Sequence, residues 1–228
     1  MLMNIARRVS AETRRRRFDQ LESFAAGLPR PLRVIDVGGT NEFWEAGGWA
    51  GREDIEITLV NHVSQPQTHE NIIPTVGDAA DLPHDDASFD LAFSNSVIEH
   101  LFTWECQEKM AREMQRVGKH HWVQTPNYWF PLEPHFQFVG WQWLPEQTRV
   151  AILRRRRCGW RDKTPDPDQA RELVREVRLL TRSELRRLFP HSEIRAERMA
   201  GLVKSWIVVG SSEEAHRAAP ELVTHCAT

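Results

Sequence analysis

The sequence predicts an α/β fold: a doubly wound, mostly parallel sheet with helices on both faces. Three observations point there. Short apolar runs rich in β-branched residues alternate with helical stretches. The first run, LRVIDV (32–37), contains the acid Asp36 and opens directly onto the pair Gly38–Gly39. The last two runs are joined through Gly201, as in an antiparallel pair. At 228 residues the chain suits one domain with a full core.

Taken in order, residues 1 to about 28 read as a helix. Ile5, Val9, Phe18, Leu21 and Phe24 fit one apolar face, and GLPRP stops it. Residues 1–30 are therefore expected as an N-terminal helical segment and 31–228 as the main domain. LRVIDV is a buried strand, IEITLV (55–60) a second, and IIPTV (72–76) a third, held to an edge by Pro74, which cannot donate to a ladder. FDLAFSN (89–95) and HHWVQT (120–125) are the fourth and fifth. WECQEKMAREMQRV (104–117) is helical, with Met110, Met114 and Val117 forming a core stripe. The pattern then changes. Residues 126–168 hold many prolines, Trp129, Trp141, Trp143 and Trp160, and an arginine run, the marks of an insertion or lid with short helices. TRSELRRLF (181–189) has the Thr181/Glu184 spacing of a capping box. SEIRAERM and LVKSWIVVG bring the strands to seven.

Net charge is -2, so no global field draws the chain to nucleic acid or membrane. Between Val34 and His100 the only basic residue, histidines aside, is Arg52; arginines cluster at 14–17, 149, 154–157 and 161. Such clusters are ordinarily solvated helix faces. Three scattered cysteines without CxxC argue against a disulfide framework and for a reducing cytoplasm. No run suits a signal peptide or a membrane span.

In a parallel sheet, glycines at a strand's carboxyl end let the backbone approach a ligand. A dinucleotide turn wants G-x-G-x-x-G, whereas here Gly38 and Gly39 are adjacent and the next glycine is Gly47. Asp36 and Glu42 would repel a pyrophosphate and favour a cation. The later strand ends carry Asn61, then VGDAADLP, then SNSVIEHL. VIDVGGTNEFW, GDAADLPHDDASFDLAFSNSVIEHL and VQTPNYWFPLEPHF, in this order, resemble the class I S-adenosylmethionine-dependent methyltransferases, close to the type 11 and type 25 small-molecule enzymes. The resemblance spans about residues 32–210.

It implies a Rossmann-like methyltransferase fold and S-adenosylmethionine as cofactor. Carried over, the roles are these. Gly38 and Gly39 would pass the methionine part, with Asp36 favouring its cationic end. Asn61 would bond the ribose, Asp78 and Ala79 would border the adenine, and Ser94 and Asn95 would floor the sulfonium. Two departures stand out: GGTNE has fewer glycines than the family turn, and the ribose position is usually an acid, where Asn61 offers one acceptor and a donor.

A sulfonium methyl is already electrophilic, so the protein must align a nucleophile and exclude water. A base is needed only where the acceptor must lose a proton. His135 in PLEPHF and His100 are the candidates, although His100 could instead orient the cofactor loop. Tyr128, Glu133 and Trp143 are candidate acceptor contacts within the 126–168 cover. Residues 141–157 could alternatively rest on a membrane surface. No HxH, HExxH or Cys-rich spacing occurs, so no metal site is expected; nor is there a GxSxG nucleophile. The expected activity is methylation of a small-molecule acceptor at oxygen or nitrogen. The alternatives are a catalytically silent methyltransferase-like binding protein, an RNA methyltransferase suggested by the arginines but opposed by the acidic half, and methylation of a protein side chain.

Overall fold

The computed structural model describes residues 2–212, with side chains from Thr13 onward. Ile5, Val9 and Cys226 thus lie outside the described side chains. Cys106 and Cys158 are free thiols.

A seven-stranded sheet forms the centre. Its strands are β1 (Leu32–Val37), β2 (Ile55–Asn61), β3 (Ile72–Val76), β4 (Phe89–Asn95), β5 (Gly118–Pro126), β8 (Glu193–Met199) and β9 (Leu202–Ser211), in the order β3-β2-β1-β4-β5-β9-β8. β6 (Leu132–Glu133) and β7 (Phe138–Val139) form a separate small hairpin. The first five sheet strands are parallel, and β9 runs antiparallel to both β5 and β8. β3 is the edge that Pro74 predicts.

Alternating side chains send β1 into two cores. Leu32 and Val34 pack with Phe18, Leu21 and Ala25 of α1 (Leu2–Ala25) and with Trp44 of α2 (Asn41–Gly47). Ile35 and Val37 pack with Met110, Met114 and Val117 of α3 (Trp104–Val117) and with Leu185 of α6 (Arg182–Leu188). Each such large apolar side chain contributes about 1.5–3 kcal/mol. The capping box of α6 is present, with Thr181 and Glu184 bonding reciprocally.

The fold departs from its sequence reading in three places. α2, directly after the glycine turn, was not anticipated; it ends on Gly48 at φ 74°. Among the described residues no helix joins β2 to β3 or β3 to β4, so loops alone rim that side of the sheet. The insertion also continues past residue 168. α4 (Glu146–Leu153) packs on α5 (Pro167–Arg175), and Phe136, Trp141, Val150, Leu153 and Val174 share a core of their own.

Candidate active site

The chain runs outward from β1 to β3 and then returns to β4, so the switch point lies between β1 and β4. Ligands in such sheets bind outside the carboxyl ends there. A cleft of about 770 Å³ opens at this place, and Gly38, Asn61, Asp78, Ala79 and His100 are among its walls, with Val60, Val76 and Phe102 supplying apolar surface. Ser96 and Phe102, both lining it, hold left-handed backbone at φ 58° and 52°. Such strain persists where the surroundings over-determine it, commonly beside functional sites.

The two glycines have separate reasons. Gly38 sits at φ 82°, and a Cβ there would lie 2.5 Å from Cγ1 of Val97. A Cβ on Gly39 would lie 1.7 Å from Oδ2 of Asp36. Asp36 itself is fully buried on the α2 side, where Trp44 Nε1 donates to its Oδ2 at 2.7 Å; its Oδ1 has no partner. Burial pushes its pKa up to about 7 against that hydrogen bond. Asp36 therefore braces the glycine turn from beneath rather than lining the cleft. Asn61 is also engaged locally: its amide donates to the Gly39 carbonyl at 3.1 Å and accepts from the Val63 N–H at 3.3 Å. Asp78 accepts from the Ala80 N–H at 2.9 Å.

Ser94 and Asn95, expected to floor the site, are not among the residues lining the cleft. Ser94 is buried and donates to the Val37 carbonyl at 3.0 Å. Asn95 accepts from Arg17 Nη1 at 2.6 Å. Arg17 was missed by the sequence reading, which took its cluster for a solvated face. It is 6 % exposed and also bonds Gln124 at 2.9 Å and Glu197 at 2.7 and 3.1 Å. The N-terminal helix thereby ties the ends of β4, β5 and β8 together.

A second constellation stands beside the cleft. Glu99 is fully buried; its Oε2 accepts from Thr125 at 2.9 Å and its Oε1 has no partner. Burial raises its pKa to about 7. The His100 and His135 rings stand perpendicular with centroids 4.7 Å apart. Burial, followed by the charges of His135 and Arg161, lowers the His100 pKa to about 4. Burial also works to lower His135, but the hydrogen bond and charge of Glu133, with Glu99, outweigh it and raise the value. Nδ1 of His135 meets Glu133 Oε1 at 2.6 Å, while Glu133 Oε2 accepts from the Phe136 N–H at 2.6 Å. Ligand atoms of Glu99, His100 and His135 all lie within 4.8 Å of one another. The expectation of no metal site rests on local spacing, and the 34 residues between His100 and His135 hide this grouping from any such motif.

The insertion and the segment from Val177 to Glu184 line an open cavity of about 580 Å³, with Tyr128, Glu133, Trp141, Gln142 and Arg149 among its walls. Arg149 is half-buried, its Nε has no partner, and burial lowers its pKa. Gln142 donates to the carbonyls of Tyr128 and Phe130 at 3.0 and 2.7 Å, leaving its buried oxygen without a partner. Trp143 lies outside the cavity lining and is 46 % exposed. Glu176 lines the cleft and Arg178 the cavity, so one short segment contributes to both spaces. The 141–157 segment buries Val150 and Leu153 in the insertion core, while Trp143 and Arg154 to Arg157 are exposed. Among the described residues no helix is long and apolar enough to cross a membrane.

Residues 54–121 match a family model described as a methyltransferase domain. A malonyl-[acyl-carrier protein] O-methyltransferase of Erwinia pyrifoliae is 37% identical over 94 residues, a match covering 39% of this chain and 34% of that protein. The chain thus spans about a third of the length of the curated relative it matches. A crystal structure of an S-adenosylmethionine-dependent methyltransferase of Methanosarcina mazei superposes with TM-score 0.51 at 14% identity, covering 82% of this chain and 95% of that one. The YcgJ protein of Bacillus subtilis gives 0.50 at 20% identity, covering 80% and 71%. At these identities the structural likenesses concern the fold.

Proposed function

We propose that this chain, a class I S-adenosylmethionine-dependent methyltransferase by family, methylates an oxygen of a small anionic acceptor. The observation that carries the reading is the convergence of three strand ends, at Gly38, Asn61 and Asp78–Ala79, on one cleft at the switch point.

The residues present fit the cofactor. Val60, Val76 and Ala79 offer apolar walls to a base, and Asp78 borders them with a carboxylate. Gly38 keeps side-chain bulk away from the methionine end. Asn61 would hold a ribose only by exchanging its bonds to Gly39 and Val63. When bound, S-adenosylmethionine supplies an electrophilic methyl group. The chain supplies the rest: position, exclusion of water and, for a protonated acceptor, a base. His100 lines the cleft and is neutral near pH 7, but the burial that holds its pKa to about 4 makes it a weak base, and an anionic acceptor oxygen needs none; His135, held by Glu133, favours the protonated form.

The anionic acceptor follows from the second cavity. Arg149, whose buried Nε has no partner, and the free oxygen of Gln142 line the same cavity, a combination that suits an anion bearing a hydrogen-bond donor. Oxygen as the target is supported by the Erwinia relative, whose name describes an O-methyltransferase acting on malonyl-acyl carrier protein.

Calorimetry with S-adenosylmethionine and S-adenosylhomocysteine, then mass spectrometry of a carboxylic acid panel, tests this. Binding of both, with a one-methyl mass gain that Arg149→Met reduces at least about tenfold while cofactor affinity holds, supports it. Absence of cofactor binding would end the enzymatic reading. Binding without turnover on any acceptor would favour the silent binding protein.

A further inference from the structure

We propose that Glu99, His100 and His135 form a binding site for one divalent transition-metal ion of the zinc class, with Glu133 as the positioning carboxylate. The inference concerns metal binding alone and stands whether or not methyl transfer is the activity.

Four observations carry it. First, the donor set is two imidazoles and one carboxylate with all ligand atoms within 4.8 Å of one another. Around an ion with bonds of ~2.0–2.2 Å, such atoms stand about 3.0–3.5 Å apart, so the grouping needs only a small inward rotation of the side chains. Second, Glu99 Oε1 is buried with no hydrogen-bond partner, although its sister oxygen is held by Thr125. A buried carboxylate oxygen left bare is costly, and a cation would satisfy it. Third, Glu133 is 1 % exposed and fixes His135 through Nδ1, which directs Nε2 to any ligand. A carboxylate behind a histidine is the usual outer arrangement of metal-bound imidazole. Fourth, His100 is set perpendicular to His135 and also lines the cleft, so the grouping has an entry path from it.

The nitrogen-rich set selects borderline ions such as Zn²⁺ or Fe²⁺ over Mg²⁺ and Ca²⁺, which demand oxygen shells. Three protein ligands leave an open coordination position. The positive charge of Arg161, which acts on both His100 and His135, is paired with Glu176.

The test is titration of chelator-treated full-length protein with Zn²⁺ by calorimetry, in excess Mg²⁺, with histidine ring nitrogen shifts read in parallel by NMR. About one Zn²⁺ per chain should bind, shifting the ring nitrogens of His100 and His135 while those of His62, His69 and His191 stay in place. His135→Ala should remove that binding, and Glu133→Gln should weaken it about 10–100-fold. Wild-type protein that takes up no Zn²⁺, or that takes it up with unshifted His100 and His135 resonances, overturns the site. Equal affinity in folded His135→Ala does so as well. The NMR readout uses wild-type protein, so a variant that fails to fold leaves the test decisive.

Discussion

The cleft proposed for the cofactor and the side proposed for the acceptor are built by opposite means. The cleft is made of strand ends and the turns leaving them; Gly38, Asn61 and Asp78 each stand within two residues of their strand. The acceptor side is made of side chains from distant segments: Glu99 after β4, Glu133 and His135 in the hairpin, Arg149 on α4 and Arg178 after α5. A backbone-built site tolerates few changes of conformation and is written in short contiguous motifs. A side-chain-built site is specified only once its segments have packed.

The sharpest way to break this contrast is through Arg17, a remote side chain on which the backbone-built half depends. It pairs with the buried Glu197 and bonds Asn95 and Gln124 at the ends of β4 and β5. Removing one partner of a buried pair leaves the other charge uncompensated, which costs about 3–5 kcal/mol. Arg17→Met should therefore lower the melting temperature by roughly 10 °C, at about 2–4 °C per kcal/mol for a chain of this size. Adding Glu197→Gln should recover part of that loss. A single variant melting with the wild type would mean that the strand ends hold themselves.

Asp36 comes next in size. Its folded pKa of about 7 lies above the ordinary 3.8, so the folded state retains a proton that the unfolded chain releases. Stability from this group is thus complete below pH about 4, falls as pH rises toward 7, and is level above that. Three pKa units correspond to about 4 kcal/mol as an upper figure. Asp36→Asn should flatten this part of the slope in denaturant titrations between pH 4 and 8. Glu99, the other carboxylate raised to about 7, keeps its own share. The slope is the readout because the carboxamide could leave an N–H unpaired and lower the overall level. An unchanged slope would show that Asp36 is ionised in the fold.

Gly38→Ala asks how much of the cleft is backbone. The left-handed conformation costs an alanine about 1–2 kcal/mol, and its Cβ would meet Val97 at 2.5 Å. Modest destabilisation with at least a tenfold loss of S-adenosylmethionine affinity is expected by melting and calorimetry. Pairing it with Val97→Ala removes the collision but keeps the strain, so only part of the loss should return.

These cases explain what was legible in the sequence. The seven strands, the edge position of β3, the α6 capping box and the core stripe of α3 follow from local spacing, and the structure has them all. Gly38, Asn61, Asp78 and Ala79 reach one cleft because each follows its strand directly. Arg17 could not be read, because its neighbours Arg14 to Arg16 make it look like one solvated run, and its partners stand 78, 107 and 180 residues away. Asp36 sits at the motif position but one pleat away from the cleft, facing Trp44 of a helix the sequence did not announce. Glu99 and His135 belong together only after the insertion folds back. Arg149 is visible in the sequence as one arginine among several, and its unpartnered Nε is a property of packing alone.

The smallest expected effect belongs to Trp143, and it tests whether the acceptor cavity has been drawn correctly. The sequence placed Trp143 among the acceptor contacts. In the fold it tilts toward Trp129 at 6.5 Å between centroids, both largely open to solvent, while Trp141 lies in the insertion core stacked on Phe136 at 4.2 Å. The cavity wall uses Trp141. Trp143→Ala should therefore change stability by no more than about 0.5 kcal/mol. Once an acceptor is found, it should leave kcat/KM within about twofold, a difference of roughly 0.4 kcal/mol in transition-state binding. A larger loss of kcat/KM with unchanged stability would mean that the acceptor reaches beyond the cavity lined by Trp141 onto the exposed face shared by Trp129 and Trp143. The cover over the active site would then extend to the outer surface of the insertion.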